Sequence, residues 1–193
     1  MSTEKDRREF YRIDDKVPLH LTVMTDRQNA PDLDELEDEI PSSFQLVNQL
    51  QEIETEASVS LSSLQLSEPA IADYLRTLNK RLDLIGGYIA EQKFTESKNY
   101  ETVSLSGNGF RVNTDKDFPV DAVVLVEMLL PNSRTGIHCY GKVVESEKAD
   151  SHYSVAVTFE TIRESDREAI IRHVIRQESK LIRQAKEQRA DSN

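Results

Sequence analysis

Short segments that alternate apolar and polar residues lie on both sides of a long helical segment, and this arrangement constrains the fold most. In "KVPLHLTV", residues 16–23, the apolar Val17, Leu19 and Leu21 alternate with polar residues, which is typical of a half-buried strand. The same alternation returns in "HYSVAVTFE", residues 152–160. Because a single early strand needs partners to complete a sheet, we expect the helical segment to be an insertion within one β domain.

Further strands are predicted between the helical segment and residue 152. They fall in "YETVSLSGNGFRVNT" (100–114), "DAVVLVEMLLP" (121–131) and "GIHCYGKVVES" (136–146). Successive short strands separated by turns predict a closed or nearly closed antiparallel barrel. Residues 163–193 predict a C-terminal helix with one apolar face and one basic face.

The helical segment carries a heptad pattern. Before it, "DLDELEDE" at 32–39 has six acidic residues in eight and indicates a solvated linker or acidic turn. Apolar residues spaced 4, 3, 4, 3, 4 then form a seam, called here the apolar seam: Ile71, Leu75, Leu78, Leu82, Ile85 and Ile89. Such a seam is typical of an oligomerisation helix, and packing against the preceding helix is the alternative. Gly86 and Gly87 indicate a kink or a close helix contact.

Composition narrows the class of protein. The chain has 193 residues, 37% hydrophobic and 31% charged, and no apolar run approaches the roughly 20 residues that span a bilayer. We expect no signal peptide and no membrane insertion. The single cysteine, Cys139, fits a reducing compartment, so we expect a cytoplasmic protein. A net charge of −11 argues against broad nucleic-acid binding.

The residues give little support for catalysis. The four histidines are scattered without a metal-ligand spacing. His138 precedes Cys139, but neighbouring strand residues point to opposite faces, so they do not form a nucleophile–base pair. No phosphate-binding Walker loop and no GxSxG elbow occur in the sequence. We expect no enzyme, no metal and no cofactor.

Two stretches favour anion binding instead. "RREFYR", residues 7–12, places Arg7, Arg8 and Arg12 just before the first strand. Arginine offers a planar fork of donors that matches phosphate oxygens and the O6/N7 edge of guanine. The second stretch is "SLSGNG", residues 104–109.

The second stretch has two interpretations. As a hairpin, it turns at the favoured pair Asn108-Gly109. As part of a binding site, it presents Ser104 and Ser106 on one face, and Gly109 permits close approach of the backbone to a ligand.

Together, in this order around strands, the two stretches resemble the PilZ family. The resemblance implies a six-stranded antiparallel barrel that binds the bacterial second messenger cyclic di-GMP as a regulatory ligand. It assigns the arginine motif to Arg7, Arg8 and Arg12, which grip phosphates and guanine edges, with Phe10 as an anchor to the barrel. It assigns the barrel-side support to Ser104, Ser106 and Gly109. Ser104 stands where the family usually has Asp or Asn, and it lacks their carboxylate or amide.

The helical insertion is similar to a minority PilZ subclass whose added helices form tetramers. The expected organisation is an arginine arm and first strand at 1–24, an acidic linker and oligomerising helices at 25–97, the rest of the barrel at 98–162, and the C-terminal helix at 163–193. We expect a non-enzymatic cyclic di-GMP receptor that forms a homo-oligomer, with a tetramer favoured, and signals to an unknown partner protein. A scaffold without nucleotide binding is the alternative. A single-stranded nucleic-acid barrel is least favoured, because the chain has no Trp and a pI of about 4.9.

Overall fold

The computed structural model describes residues 12–95, 100–131, 133–149 and 151–191. Within them the chain forms a closed barrel of six antiparallel strands in the order β1-β2-β3-β6-β5-β4, with four helices. The elements are β1 (Ile13–Val23), α1 (Leu33–Glu39), α2 (Ser42–Ser67), α3 (Pro69–Thr95), β2 (Tyr100–Ser106), β3 (Gly109–Thr114), β4 (Val123–Leu130), β5 (Thr135–Ala149), β6 (His152–Thr161) and α4 (Glu164–Asp191). The predicted fold class, a barrel with a helical insertion and a C-terminal helix, is confirmed.

The first strand closes the barrel. Residues 13–18 of β1 pair with β2, and residues 19–23 pair with β4. The strand before the helical insertion therefore joins two strands that follow it, as expected if the insertion interrupts a single β domain.

Alternation along the strands fills the barrel interior. Val103 and Leu105 of β2 are fully buried, and Phe110 of β3 lies 5.9 Å from Phe159 of β6 between ring centroids. Helix α4 packs on the same core through Ala169, Ile170 and Val174. Burial of such apolar surface is the main stabilisation of a small barrel.

The acidic stretch 32–39 is a helix, so its interpretation as a linker or turn was wrong. Asp32 caps α1, since its side chain accepts a hydrogen bond from the Glu35 backbone N–H at 3.0 Å, and acidic residues in the first turn favour the helix dipole. Leu36 is fully buried against Val123 and Tyr140 on the outside of the barrel. Because acidic residues dominate this stretch, the sequence pattern did not reveal the apolar contact of Leu36 with the barrel.

Helices α2 and α3 form a hairpin that packs through small residues. The stretch "SVSLSSLQL", which also alternates like a strand, is helical throughout. Ala72 and Ala90 of α3 are fully buried, and a Cβ on Gly86 would lie 3.0 Å from Leu50 Cδ1 of α2. Gly86 therefore permits close contact between the two helices.

The apolar seam lies on an exposed flank of the hairpin and not on the side of α3 that contacts α2, which excludes the alternative in which it packs on that helix. Five of its six residues are 37–59% exposed, and Leu78 is half-buried. The residues of α3 that contact α2 include Arg76, Asp83 and Gly86. Each of them comes directly after a seam residue. Since one residue turns a helix by about 100° at 3.6 residues per turn, the seam lies on the flank of the hairpin.

A second apolar row lies on α2: Leu46, Leu50, Ile53, Ala57 and Leu64. Leu46 and Ile53 are 39% and 62% exposed, whereas Leu50 is half-buried and also lies close to Gly86 of α3. Leu46, Leu50 and Leu64 each come one residue before a residue that contacts α3, namely Val47, Gln51 and Gln65. Because the two helices are antiparallel, the same one-residue offset rotates both rows to the same side of the hairpin. Together they form one surface, the apolar face of the α2–α3 hairpin.

The hairpin is docked on the barrel through the start of β5 and the turn that precedes it. The Asn48 side chain donates to the Gly136 carbonyl at 2.9 Å and accepts from the Gly136 N–H at 3.0 Å. Phe44 is fully buried where a Cβ on Gly136 would collide with it. Arg134, with φ of 52°, donates to the Asp83 carbonyl at 2.6 Å and packs over Gly87. Both neighbouring glycines of α3 thus serve close contacts.

Candidate functional site

The stretch 104–109 is the β2–β3 hairpin, but its turn is one residue earlier than expected. Ser106 pairs with Gly109, so the turn is Gly107-Asn108 and the prediction of Asn108-Gly109 was wrong. The Ser106 hydroxyl is buried and donates to the Gly109 carbonyl at 3.0 Å. This bond closes the turn from within, which makes the hairpin a well-defined surface.

Gly109 lies against a neighbouring strand. A Cβ at this position would collide with the Val157 carbonyl of β6, and Gly109 pairs with Thr158. The absence of a side chain therefore allows β3 and β6 to approach each other. This requirement for glycine arises from the barrel itself.

Ser104 lies on the outer face of the barrel between two charged residues. Val103 and Leu105 point into the core, so Ser104, between them, points outward. It is half-buried, and its partners across the strands are Asp14 on β1 and Arg111 on β3. Arg111 is already engaged, since it pairs with Glu145 and donates to the Ser154 hydroxyl. The pair with Arg111 lowers the pKa of Glu145.

Arg12 lies next to this hairpin. It is exposed and immediately precedes Ile13, whose partner on β2 is Leu105. Continuing the antiparallel register by one residue places Arg12 opposite Ser106. Arg7, Arg8 and Phe10 lie outside the described residues.

Two contacts from elsewhere fix the β2–β3 turn, and sequence reasoning missed both. Arg167 of α4 donates to the Gly107 carbonyl at 2.7 Å and to the Asn108 side-chain oxygen at 3.3 Å. The Phe159 N–H of β6 donates to the Asn108 carbonyl at 2.9 Å. No local pattern signals these contacts, because Arg167 lies 60 residues from Gly107 and Phe159 is also far from the turn in the sequence.

Helix α4 also contacts the first strand. His173 Nε2 and Asp15 Oδ2 form a hydrogen bond of 2.6 Å, and the Gln177 side chain donates to the same oxygen at 3.0 Å. Asp15 follows Arg12 by three residues. Helix α4 thus contacts the 104–109 stretch at the β2–β3 turn, and it contacts β1 three residues after Arg12.

Cys139 and His138, the neighbouring pair considered for catalysis, are both buried. Cys139 is fully buried in the barrel core, and burial raises the pKa of its thiol. His138 points to the opposite side and lies 3.2 Å from Glu127, with both side chains buried. Within the described residues no group of three or more His, Cys, Asp or Glu side chains could hold a metal ion. In that same part of the chain, no helix has the length and apolar character needed to cross a membrane.

The candidate site lies on the outer face of the barrel, to which Ser104 points. A cavity of about 470 Å³ lies elsewhere, between α2 and α4, and Glu52, Thr55, Arg172 and Arg176 are among the residues that line it. Arg12 and the 104–109 stretch do not line that cavity. Any ligand at the candidate site would therefore lie on the outside of the barrel.

Comparison with known proteins agrees with this architecture. Residues 87–176, from α3 into α4, match the family model of the PilZ domain. The fold is similar to that of a tetrameric PilZ domain protein from Xanthomonas campestris, which self-assembles via an unusual helical bundle: identity is 15%, the TM-score is 0.52, and 90% of this chain and 91% of that chain are covered. The Bacillus subtilis inhibitor of motility (MotI/DgrA) is a more distant match, with 16% identity, a TM-score of 0.38, and coverage of 42% of this chain and 43% of that chain. No curated protein matches the sequence.

The fold is therefore that of a small antiparallel barrel with its predicted site on the outer face. The part of the chain from residue 87 to residue 176, which contains strands β2 to β6, is a PilZ domain.

Proposed function

We propose that this protein is a non-enzymatic cytoplasmic receptor for cyclic di-GMP. The observation that carries the proposal is the strand register: Ile13, which directly follows Arg12, pairs with Leu105 of the 104–109 stretch. The two stretches lie far apart in the sequence, so a shared binding site requires a fold that brings them together. The match of residues 87–176 to the PilZ domain supports the same ligand.

The chemistry of the site suits a cyclic dinucleotide. The ligand carries two phosphates and two guanines, and arginine binds both phosphate oxygens and the O6/N7 edge of guanine with charge-assisted hydrogen bonds. In the proposal Arg7, Arg8 and Arg12 supply these contacts, while Ser104, Ser106 and Gly109 form the supporting surface. Because the chain as a whole is acidic, the arginine motif is a local reversal of charge that favours a compact anion.

Calorimetric titration with cyclic di-GMP tests this proposal. The unaltered protein should bind, and the double variant Arg8→Ala/Arg12→Ala should lose at least about 100-fold in affinity, since each charge-assisted bond contributes roughly 1.5–3 kcal/mol. The matched control is Arg183→Ala, which removes an 82% exposed arginine of α4 far from the hairpin. Absence of binding by the unaltered protein at millimolar ligand would refute the receptor.

We further propose that the apolar face of the α2–α3 hairpin joins copies of the chain. The exposed seam residues of α3 and the exposed apolar row of α2 lie on one side, so two such faces can pack as a four-helix bundle. The similar Xanthomonas campestris protein is a tetramer that assembles through a helical bundle, and a tetramer is the assembly we favour here.

Sedimentation of matched variants tests the assembly. Leu82→Glu changes a seam residue that is 51% exposed, whereas Leu84→Glu changes a residue of the same helix that is 53% exposed but lies outside both apolar rows. The first variant should shift the protein toward monomer, and the second should leave the assembly intact. Equal effects of the two variants would argue against the apolar face as the interface.

A scaffold that assembles and docks a partner protein without nucleotide is the second candidate. The exposed apolar face and the serine at position 104 favour it. Sedimentation with and without cyclic di-GMP separates the two functions, because only a receptor responds to the ligand.

A further inference from the structure

Position 104 poses a chemical problem for the receptor. The edge of guanine that carries N1–H and the N2 amino group presents two donors side by side, and a carboxylate accepts both. Ser104 is too short and has only one hydroxyl oxygen. If the protein binds guanine, another acceptor near Ser104 has to meet these donors.

Asp14 lies directly across from Ser104 on the neighbouring strand. Residues paired in this way lie on the same face of a sheet, with Cβ atoms roughly 4.5–5.5 Å apart. The Asp14 carboxylate therefore projects from the outer face of the barrel beside Ser104. It also lies two residues after Arg12, which directly precedes β1.

The Asp14 side chain is available for a ligand. It is exposed, and it forms no hydrogen bond or ion pair within the described part of the chain. The next residue shows the opposite case, since the Asp15 carboxylate accepts hydrogen bonds from His173 and Gln177 of α4. Of two successive aspartates on β1, one is bound to α4 and the other is exposed to solvent.

The other charged neighbour of Ser104 does not compete for Asp14. Arg111, across from Ser104 on β3, is held by Glu145 and the Ser154 hydroxyl on the side away from β1. The outer surface at Ser104 thus presents a free carboxylate on the β1 side and an occupied guanidinium on the β3 side.

We propose that Asp14 supplies the carboxylate that Ser104 lacks and accepts the N1–H and N2–H donors of a guanine of cyclic di-GMP. Asp14 is then a specificity-determining residue of the site, provided by a different strand from the one that carries the 104–109 stretch. This inference rests on the proposed receptor function and deepens it.

Calorimetry with two ligands tests the role of Asp14. The ligands are cyclic di-GMP and its inosine analogue, which lacks only the 2-amino group. For the unaltered protein we expect about 10-fold weaker binding of the analogue, in line with loss of one hydrogen bond to a charged group. For Asp14→Ala we expect at least about 10-fold weaker binding of cyclic di-GMP and little difference between the two ligands.

The sign of the effect distinguishes a specific contact from general electrostatics. A bystander carboxylate repels the ligand phosphates, so its removal would tighten binding. The control Asp115→Ala removes an exposed aspartate from the loop after β3 and makes the same change in net charge. The exchange Asp14→Ser/Ser104→Asp moves the carboxylate across the strand pair and should recover most of the affinity.

The outcomes separate the two proposals. If the unaltered protein binds neither ligand, the receptor function and the role of Asp14 both fail. If it binds cyclic di-GMP, and Asp14→Ala binds as tightly or more tightly with unchanged discrimination against the inosine analogue, only the role of Asp14 fails. Circular dichroism of each variant verifies that the barrel is folded, as expected for an exposed side chain without partners.

Discussion

The barrel and the α2–α3 hairpin contain apolar residues in equally regular patterns, but they use them differently. In the barrel the apolar positions of all six strands meet inside a closed surface, and residues such as Val103, Leu105 and Phe110 are at most 1% exposed. In α3 most of the large apolar residues of the seam are exposed, while the buried positions among its described side chains are alanine and glycine. A regular apolar pattern therefore indicates that these side chains are buried. It does not tell whether they are buried by the same chain or by another copy of it.

The largest expected effect contrasts a core residue with a seam residue. Phe110→Ala removes a ring that is 1% exposed and should destabilise the barrel by about 3–5 kcal/mol in denaturant unfolding, because it leaves a cavity. This loss should be the same at every protein concentration.

Leu82→Ala is the matched change in the hairpin, at a residue that is 51% exposed. In dilute protein it should change the free energy of unfolding by no more than about 0.5 kcal/mol. At higher concentration the loss should grow, because the seam is then covered by another copy. If Leu82→Ala instead lowered the free energy of unfolding as much as Phe110→Ala does, at every protein concentration, the seam would have to be buried within one chain.

An intermediate effect is expected where the two regions meet. Asn48→Ala removes both hydrogen bonds to Gly136 and leaves a partly buried N–H and C=O without partners, which costs about 1–3 kcal/mol. Amide hydrogen exchange should accelerate in α2 and α3 and remain slow in the barrel strands. Gln49→Ala, at an exposed neighbour in α2, should leave both exchange rates unchanged; equal acceleration in barrel and hairpin would instead indicate one cooperative unit.

The smallest effect concerns a tyrosine of the barrel. Burial, and then the hydrogen bond that Tyr140 donates to Glu39, raise the pKa of Tyr140 to about 12 from an ordinary value of 10.0. The folded state therefore favours the neutral phenol, and this stabilisation is complete below pH 10.0 and lost as the pH rises toward about 12.

Absorbance titration of the phenolate measures this step. Tyr140→Phe should remove the titration step of highest pH, and Tyr74→Phe, which changes a 63% exposed tyrosine of the hairpin, should leave it in place. If Tyr140→Phe leaves the titration step of highest pH unchanged, that step does not belong to Tyr140. The hydrogen bond between Tyr140 and Glu39 of α1 would then not be supported.

The strands were predictable because alternation is a local property. The segments around Val17, Val103 and Val157 alternate in the sequence and are strands in the fold. Helix α1 was missed because its acidic residues dominate the local composition, although Leu36 and Glu39 both contact Tyr140 of the barrel. The turn was misplaced by one residue because the Asn-Gly preference is statistical, whereas the register with β6 requires Gly109 within the strand.

The candidate site was predictable only as two separate stretches. Their proximity depends on the pairing of β1 with β2, which no local pattern in either stretch specifies. For the same reason the contact of Arg167 with the turn and the position of Asp14 beside Ser104 could not be predicted. Residues far apart in sequence become neighbours through register, and register is determined by the whole barrel.

The small residues of α3 have a consequence for how the hairpin can vary. If α3 rotated by one residue, the row of Ala72, Gly86 and Ala90 would turn outward and the seam would turn toward α2. Large side chains such as Ile85 and Ile89 do not fit where a Cβ on Gly86 already lies 3.0 Å from Leu50, so the rotation would force the helices apart. The alanines and the glycine thus select one rotational setting of α3, and through it they determine the direction in which the isoleucines and leucines face.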